Sequence, residues 1–240
     1  MQAFLESDFW QRHIYGNFIA EGRWRYLTSG LQNTLIITFF ALLLGTLLGA
    51  LVAVVRVTHD KADKPNFGLK LLDWLCKLYL TIIRGTPVMV QLLIMYFVVF
   101  TTVDPGKLVV AVIAFGINSG AYVAEIFRAG IMSVDPGQME AGRSLGLSNK
   151  QVMVRIILPQ AIKNILPALA NEFIALLKET SIAGYIALRD LTKGADIIRS
   201  QTYDPFPPLL AAALGYLLLV ILLQKGVSIM ERRLAQSDRG

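Results

Sequence analysis

The chain has 240 residues, 55% of them hydrophobic and 17% charged, with a net charge of +6. These proportions exclude an ordinary soluble domain. The positive balance calls for no nucleic-acid partner, because Lys and Arg gather at the ends of long apolar runs, where cytoplasmic loops and headgroups take them. The single cysteine, Cys76, excludes an internal disulfide and a cysteine metal cluster.

Taken in chain order, residues 1–27 carry Glu6, Asp8, Arg12, Glu21, Arg23 and Arg25 with no continuous apolar core, so they read as an extracytoplasmic segment and not as a cleavable signal. A bilayer crossing needs roughly 20 apolar residues, and backbone in lipid must be helical to satisfy its polar groups. The first predicted span runs from about Leu31 to Val55 and is followed by a charged link (Arg56, Asp60, Lys61, Asp63, Lys64, Pro65). The second starts near Phe67 and reaches about Phe100, with a kink or break expected at Gly85 and Pro87. Asp104-Pro-Gly106 signals a turn, and the third span follows from about Lys107 to Met132. Val134 to Arg155 is too polar to cross and holds two short helical patterns separated by Gly146. The fourth span covers about Ile156 to Thr180, Ser181 to Pro205 is expected as an extramembrane loop, and the fifth covers about Phe206 to Gln224. A basic tail with Arg232, Arg233 and Arg239 ends the chain.

The more basic side carries Arg56, Lys61, Lys64, Lys70, the residues from Arg128 to Arg155 and the C-terminal arginines, which makes it cytoplasmic. The N-terminus is then outside and the C-terminus inside. An odd number of spans satisfies this, which supports five.

The 134–158 loop falls on that cytoplasmic side by charge alone. Its Glu140-Ala-Gly-Arg-Ser-Leu-Gly146, then nine residues, then Ile156-Ile-Leu158-Pro159, resembles the EAA loop of ABC importer permeases. The polar amino acid branch of that family is matched by Leu31-Gln-Asn-Thr34, Arg84-Gly-Thr-Pro87, Ser119-Gly-Ala-Tyr-Val-Ala-Glu125, Phe127-Arg-Ala-Gly130, Asn171-Glu-Phe-Ile174 and Lys178-Glu-Thr-Ser181. Gly142 departs from the family's second alanine. The resemblance covers about residues 28–230, which form the permease domain, with 231–240 as a cytoplasmic tail.

The resemblance implies an all-α integral membrane protein of five transmembrane helices with the type I ABC importer permease fold, in the bacterial inner membrane. It implies docking of an ABC ATPase dimer on Glu140, Ala141, Gly142, Ser144, Leu145, Gly146 and Leu147. It further implies a second permease subunit, preferably an identical one though a heterodimer stays open, and an extracytoplasmic solute-binding protein. No phosphate-binding loop of the Gly-x-x-x-x-Gly-Lys-Ser/Thr type occurs. ATP and Mg therefore belong to the partner, and no cofactor or catalytic residue is expected here. An intramembrane enzyme lacks the paired acids or Ser/His couple it needs, and a passive channel has no use for a docking loop.

Ionisable residues inside a membrane are expensive and point to function. Glu172 lies 13 residues beyond Pro159, about 20 Å along its helix, and Arg84 lies 14 residues beyond Lys70, about 21 Å along. An amino acid zwitterion offers one charge to each. Glu172 is expected to take the ammonium group, with Asn171 and Ser119 nearby, and Arg84, Thr86 or the freed amides at Gly85–Pro87 the carboxylate. Structural pairing of Arg84 and Glu172 is the competing reading. Another small polar solute, such as an opine or a betaine, is the alternative substrate. Glu125 and Arg128 read as a local pair, Gly45-x-x-x-Gly49 and Gly116-x-x-x-Gly120 as packing faces, and His13 and His59 as isolated solvated residues.

Overall fold

The computed structural model describes residues 8–62 and 64–236. Glu6, Asp63 and Arg239 lie outside the described residues. Every regular element among the described residues is helical. The main ones in order are α1 (Trp10–Ile19, wound as a π-helix), α2 (Trp24–Asp60), α3 (Phe67–Gly85), α4 (Val88–Ile94), α5 (Lys107–Met132), α6 (Pro136–Ser144), α7 (Asn149–Val152), α8 (Leu158–Glu179), α9 (Leu191–Thr202) and α10 (Phe206–Gln236), with short 3₁₀ or π turns between some of them. Among the described residues, four helical stretches are long and apolar enough to cross a membrane, and the α3–α4 pair makes a fifth if counted as one broken span.

The expected break is present. Helix α3 stops at Gly85, Thr86 takes an extended backbone (φ −124°, ψ 147°), and the helix resumes at Val88. Pro87 accounts for this, since proline drives the residue before it out of the helical region. The Asp104-Pro-Gly106 turn also forms, with Gly106 N donating to Asp104 Oδ1 at 2.9 Å and Gly106 at φ 89°.

Three boundaries differ from expectation. Helix α2 begins at Trp24, so the proposed 27/28 boundary falls inside it. Helix α10 continues to Gln236, so the first six tail residues are helical: Lys225, Glu231, Arg232 and Arg233 leave the apolar stretch without breaking the helix. The segment read as a loop from Ser181 holds a 3₁₀ stretch (Thr180–Ile186) and α9. Asp190 caps α9 by accepting from Thr192 N at 3.0 Å and Lys193 N at 3.1 Å. Leu191, Gly194, Ala195 and Ile198 form its buried stripe. That cap and that i, i+3, i+4, i+7 spacing are both visible in the sequence.

The described residues form two compact units. In the first (8–40, 89–115 and 174–224), Leu191, Ala195 and Ala212 pack with Leu27, Leu31 and Tyr216. The polar opening Leu31–Thr34 has a structural task here. Asn33 Nδ2 donates to Arg189 O at 2.8 Å, and Thr34 Oγ1 accepts from Leu191 N at 3.1 Å. Gly30 completes the joint, because a Cβ there would land on the Asp190 carbonyl. His13 is not isolated: its Nδ1 lies 2.7 Å from Asp204 Oδ2.

In the second unit (41–88, 116–173 and 225–236), Leu80, Ala121 and Ala124 pack with Val52, Tyr79 and Ile83. The two Gly-x-x-x-Gly stretches meet each other. A Cβ on Gly45 would sit 3.0 Å from Gly120 N, and one on Gly116 would sit 2.7 Å from Leu44 Cδ2. Small residues thus bring α2 and α5 into backbone contact, as membrane helices require when lipid supplies no hydrophobic drive. Tyr79 Oη closes α3 onto this pair by donating to Ile117 O at 2.6 Å. Arg56 at the start of the link is paired too. Buried Asp73 accepts from Arg56 at 2.9 Å and Lys77 at 2.8 Å, with His59 Nδ1 at 3.6 Å, so His59 is not a solvated histidine either.

Candidate functional site

Both halves of the site lie in the second unit. The intramembrane half rests on facing stretches of α5 and α8. Ser119, fully buried on α5, donates its hydroxyl to Glu172 Oε1 on α8 at 2.7 Å. Glu172 also lines an open cavity of about 580 Å³ with Tyr122, Glu125, Asn164 and Ala168. The Glu172 carboxyl thus sits on a half-buried helix face within hydrogen-bond reach of α5.

Arg84 lies elsewhere. It lines a second open cavity of about 410 Å³ with Leu80, Thr81, Gly85 and Tyr122, and its guanidinium stands 5.7 Å over the Tyr122 ring. Tyr122 therefore borders both cavities. Thr86 donates to Ile82 O at 2.8 Å and finishes α3, while Asn171 is exposed; neither lines either cavity. The structure brings Ser119 and Glu172 together, and leaves Thr86 and Asn171 apart from them.

Tyr122, Glu125 and Asn164 were not picked from the sequence as site residues. Their signal is the spacing: 122, 126, 129/130 and 133 share one face of α5, and 164, 168 and 172 share one face of α8. Glu125 does sit 3.9 Å from Arg128, as the local pairing expected. Arg128 makes its shorter pair with Asp60 on α2, at 3.0 Å.

The second half is the 136–157 protrusion. Asp135 caps α6 by accepting from Gly137 N at 2.8 Å, with Pro136 at the first helical position. The chain reverses at Gly146, whose φ of 83° suits glycine. Gly146 N donates to Arg143 O at 2.9 Å and Leu147 N to Gly142 O at 3.1 Å, so the last α6 carbonyls are satisfied. Ser148 and Gln151 then form a capping box on α7. Met153–Ile157 widens into a π-helical turn that leads into α8. Gly142 is buried against Val152, whose Cγ2 would lie 2.7 Å from a Cβ at 142. The departure from alanine is thus a packing choice. Outward, the loop presents Glu140, Ala141, Arg143, Ser144 and Leu145, the last 81% exposed.

Residues 66–236 match the family described as binding-protein-dependent transport system inner membrane component. The chain belongs to that family. It is the membrane permease of a multi-pass inner-membrane system that works with an ATPase and a binding protein, and it has the type I importer fold. A Rickettsia bellii protein named as a glutamine transport system permease is 38% identical to this permease over 219 residues, 88% of this chain and 94% of its own. The arginine transport system permease protein ArtQ of Bacillus subtilis is 35% identical over 217 residues, 89% of this chain and 94% of its own. A solved chain from an amino acid ABC transporter crystallised with histidines is 42% identical, with a TM-score of 0.80, covering 90% of this chain and 98% of that one.

Proposed function

We propose that the permease forms the pathway of an ATP-driven importer for polar amino acids and catalyses no covalent step itself. The observation that carries this reading is Glu172, which accepts from the buried Ser119 hydroxyl at 2.7 Å and lines a cavity of about 580 Å³. That is within the size range of small-molecule sites, and it sets one carboxylate where a substrate ammonium or cationic side chain can meet it. Arg84, or the amides freed at the Gly85–Pro87 break, receives the substrate carboxylate. The amino acids in the names of the relatives support the same substrate class.

The protrusion transmits the ATPase's motion, with Glu140, Ala141, Ser144, Leu145, Gly146 and Leu147 at the docking face and Gly142 packed behind them against Val152. ATP and Mg stay on the ATPase. A second copy of the permease completes the pathway, the N-terminus is outside and the C-terminus inside.

Uptake of radiolabelled amino acids into proteoliposomes holding the whole complex, with and without ATP, tests this. ATP-dependent uptake should fall by about tenfold or more in Glu172→Gln, a loss of about 1.4 kcal/mol, while ATPase assembly persists. Uptake that ignores ATP overturns the importer reading. Unchanged uptake in the variant removes Glu172 from the pathway.

A further inference from the structure

Helix α1 is amphipathic in the reverse sense of a helix on a soluble protein. Its polar side faces inward: Asn17, fully buried, donates Nδ2 to Asp204 Oδ2 at 2.9 Å and to His13 O at 3.1 Å, and His13 reaches the same carboxylate. Its exposed residues include a large apolar set, Trp10 61%, Tyr15 56% and Ile19 55%, with Phe9 and Trp24 adding to it, beside exposed Gln11 and Arg12. A water-facing surface helix distributes these residues the other way round. The reversal calls for an apolar or half-apolar surrounding on the outer side.

From α1 the chain runs straight into a membrane span. After Ile19 it turns sharply, with Glu21 at φ 56° and Gly22 at φ 66°, and α2 starts two residues later at Trp24. Glycine takes such a φ freely and Glu21 does not; its carboxylate pairs with Arg23 at 3.0 Å. Arg23 also reaches Gln201, next to the Asp204 corner, at 3.3 Å. The Asp204 bonds to His13 and Asn17, with Arg23 donating to Gly16 O, thus fasten α1 beside the point where α2 begins its crossing.

We infer that α1 is an interfacial anchor, whose Trp10, Tyr15 and Ile19 face lies in the headgroup–acyl boundary of the leaflet where α2 begins. Three observations select lipid as the occupant: continuity with the span, the Trp/Tyr content that membrane interfaces favour, and an inner side whose Asn17 amide and His13 ring are tied to Asp204 of the same protein. The segment precedes residue 66, where the family match starts. By the proposed topology the leaflet is the outer one; the lipid contact itself does not depend on that or on the substrate.

The test uses nitroxide labels in the assembled transporter, in vesicles of phosphatidylethanolamine and phosphatidylglycerol. Trp10→Cys, Arg12→Cys, Tyr15→Cys and Ile19→Cys are each made in a Cys76→Ala background, and collisions with oxygen and with a water-soluble nickel chelate are compared. Oxygen should dominate at 10, 15 and 19 and the chelate at 12. A label at Phe39, exposed on α2, reports that the span is in the bilayer. With that control in place, chelate dominance at 10, 15 and 19 means a solvated face and overturns the anchor. Low collision with both reagents there means a covering protein, either a second copy or the binding protein, and overturns it equally.

Discussion

The coupling protrusion and the Asp190 corner are both bent segments outside the apolar runs, yet they are held in opposite ways. In the protrusion every stabilising bond is local: Asp135 to Gly137, Ser148 with Gln151, Leu147 N to Gly142 O, Gly142 against Val152. In the corner the bonds reach far along the chain: Asn33 to Arg189, Thr34 to Leu191, and Gly30 against the Asp190 carbonyl, with Arg189 5.0 Å over the Tyr26 ring. A locally closed segment keeps its shape when its surroundings move, which suits a lever. A segment closed from a distance keeps its surroundings together, which suits a staple.

The staple should break hardest. Gly30→Val drives side-chain atoms into the Asp190 backbone, where overpacking costs about 3 kcal/mol. Thermal unfolding in detergent should show a large drop and a poor yield of folded chain. An unchanged midpoint means that the α2–α9 contact is looser than described.

The lever should break in function but not in stability. Leu145→Asp charges an exposed apolar side chain at the turn, so ATP-driven uptake should fall about tenfold while unfolding shifts by less than about 0.5 kcal/mol. Lost stability alongside lost uptake would mean that Leu145 packs inside the loop.

Charge sharpens the contrast. Burial raises the Asp190 carboxyl above its ordinary value, against the opposing pull of the Lys193 and Thr192 amides. A carboxyl raised on folding holds its proton more tightly in the folded chain. The stability it adds is complete below the ordinary aspartate range and is lost as pH rises through the raised folded value. Melting curves across that window should decline for the parent and stay flatter for Asp190→Asn. The smallest effect is expected from Ser148→Ala, which removes half of a capping box for about 1 kcal/mol and leaves the staple untouched.

These bonding patterns also govern what the sequence discloses. The protrusion was readable because Asp135-Pro136, Gly146 and Ser148-x-x-Gln151 are signals within a few residues of the structure they make. The span from Lys107 to Met132 was readable because lipid leaves an apolar run one choice of backbone. Helix α9 was missed although Asp190 and the 191–194–195–198 stripe announce it, because its mixed charges suggested a solvated loop. The joining of His13 and Asn17 to Asp204 had no local signal, since the partners are 191 and 187 residues apart. Within the site, Glu172 stood out as a charge in an apolar helix. Its bond to Ser119 depends on how α5 meets α8, and that geometry is set by packing, to which single residues give no clue.

Gly142 and Val152 have a consequence for inheritance. The volume that alanine adds at 142 is volume the valine methyls already occupy, so the two positions form one unit of variation. A library randomised at both and selected for uptake should return glycine with valine and alanine with a smaller partner, and should be depleted in alanine with valine. A lineage that exchanges one residue alone passes through a distorted lever, so the two changes are expected to travel together.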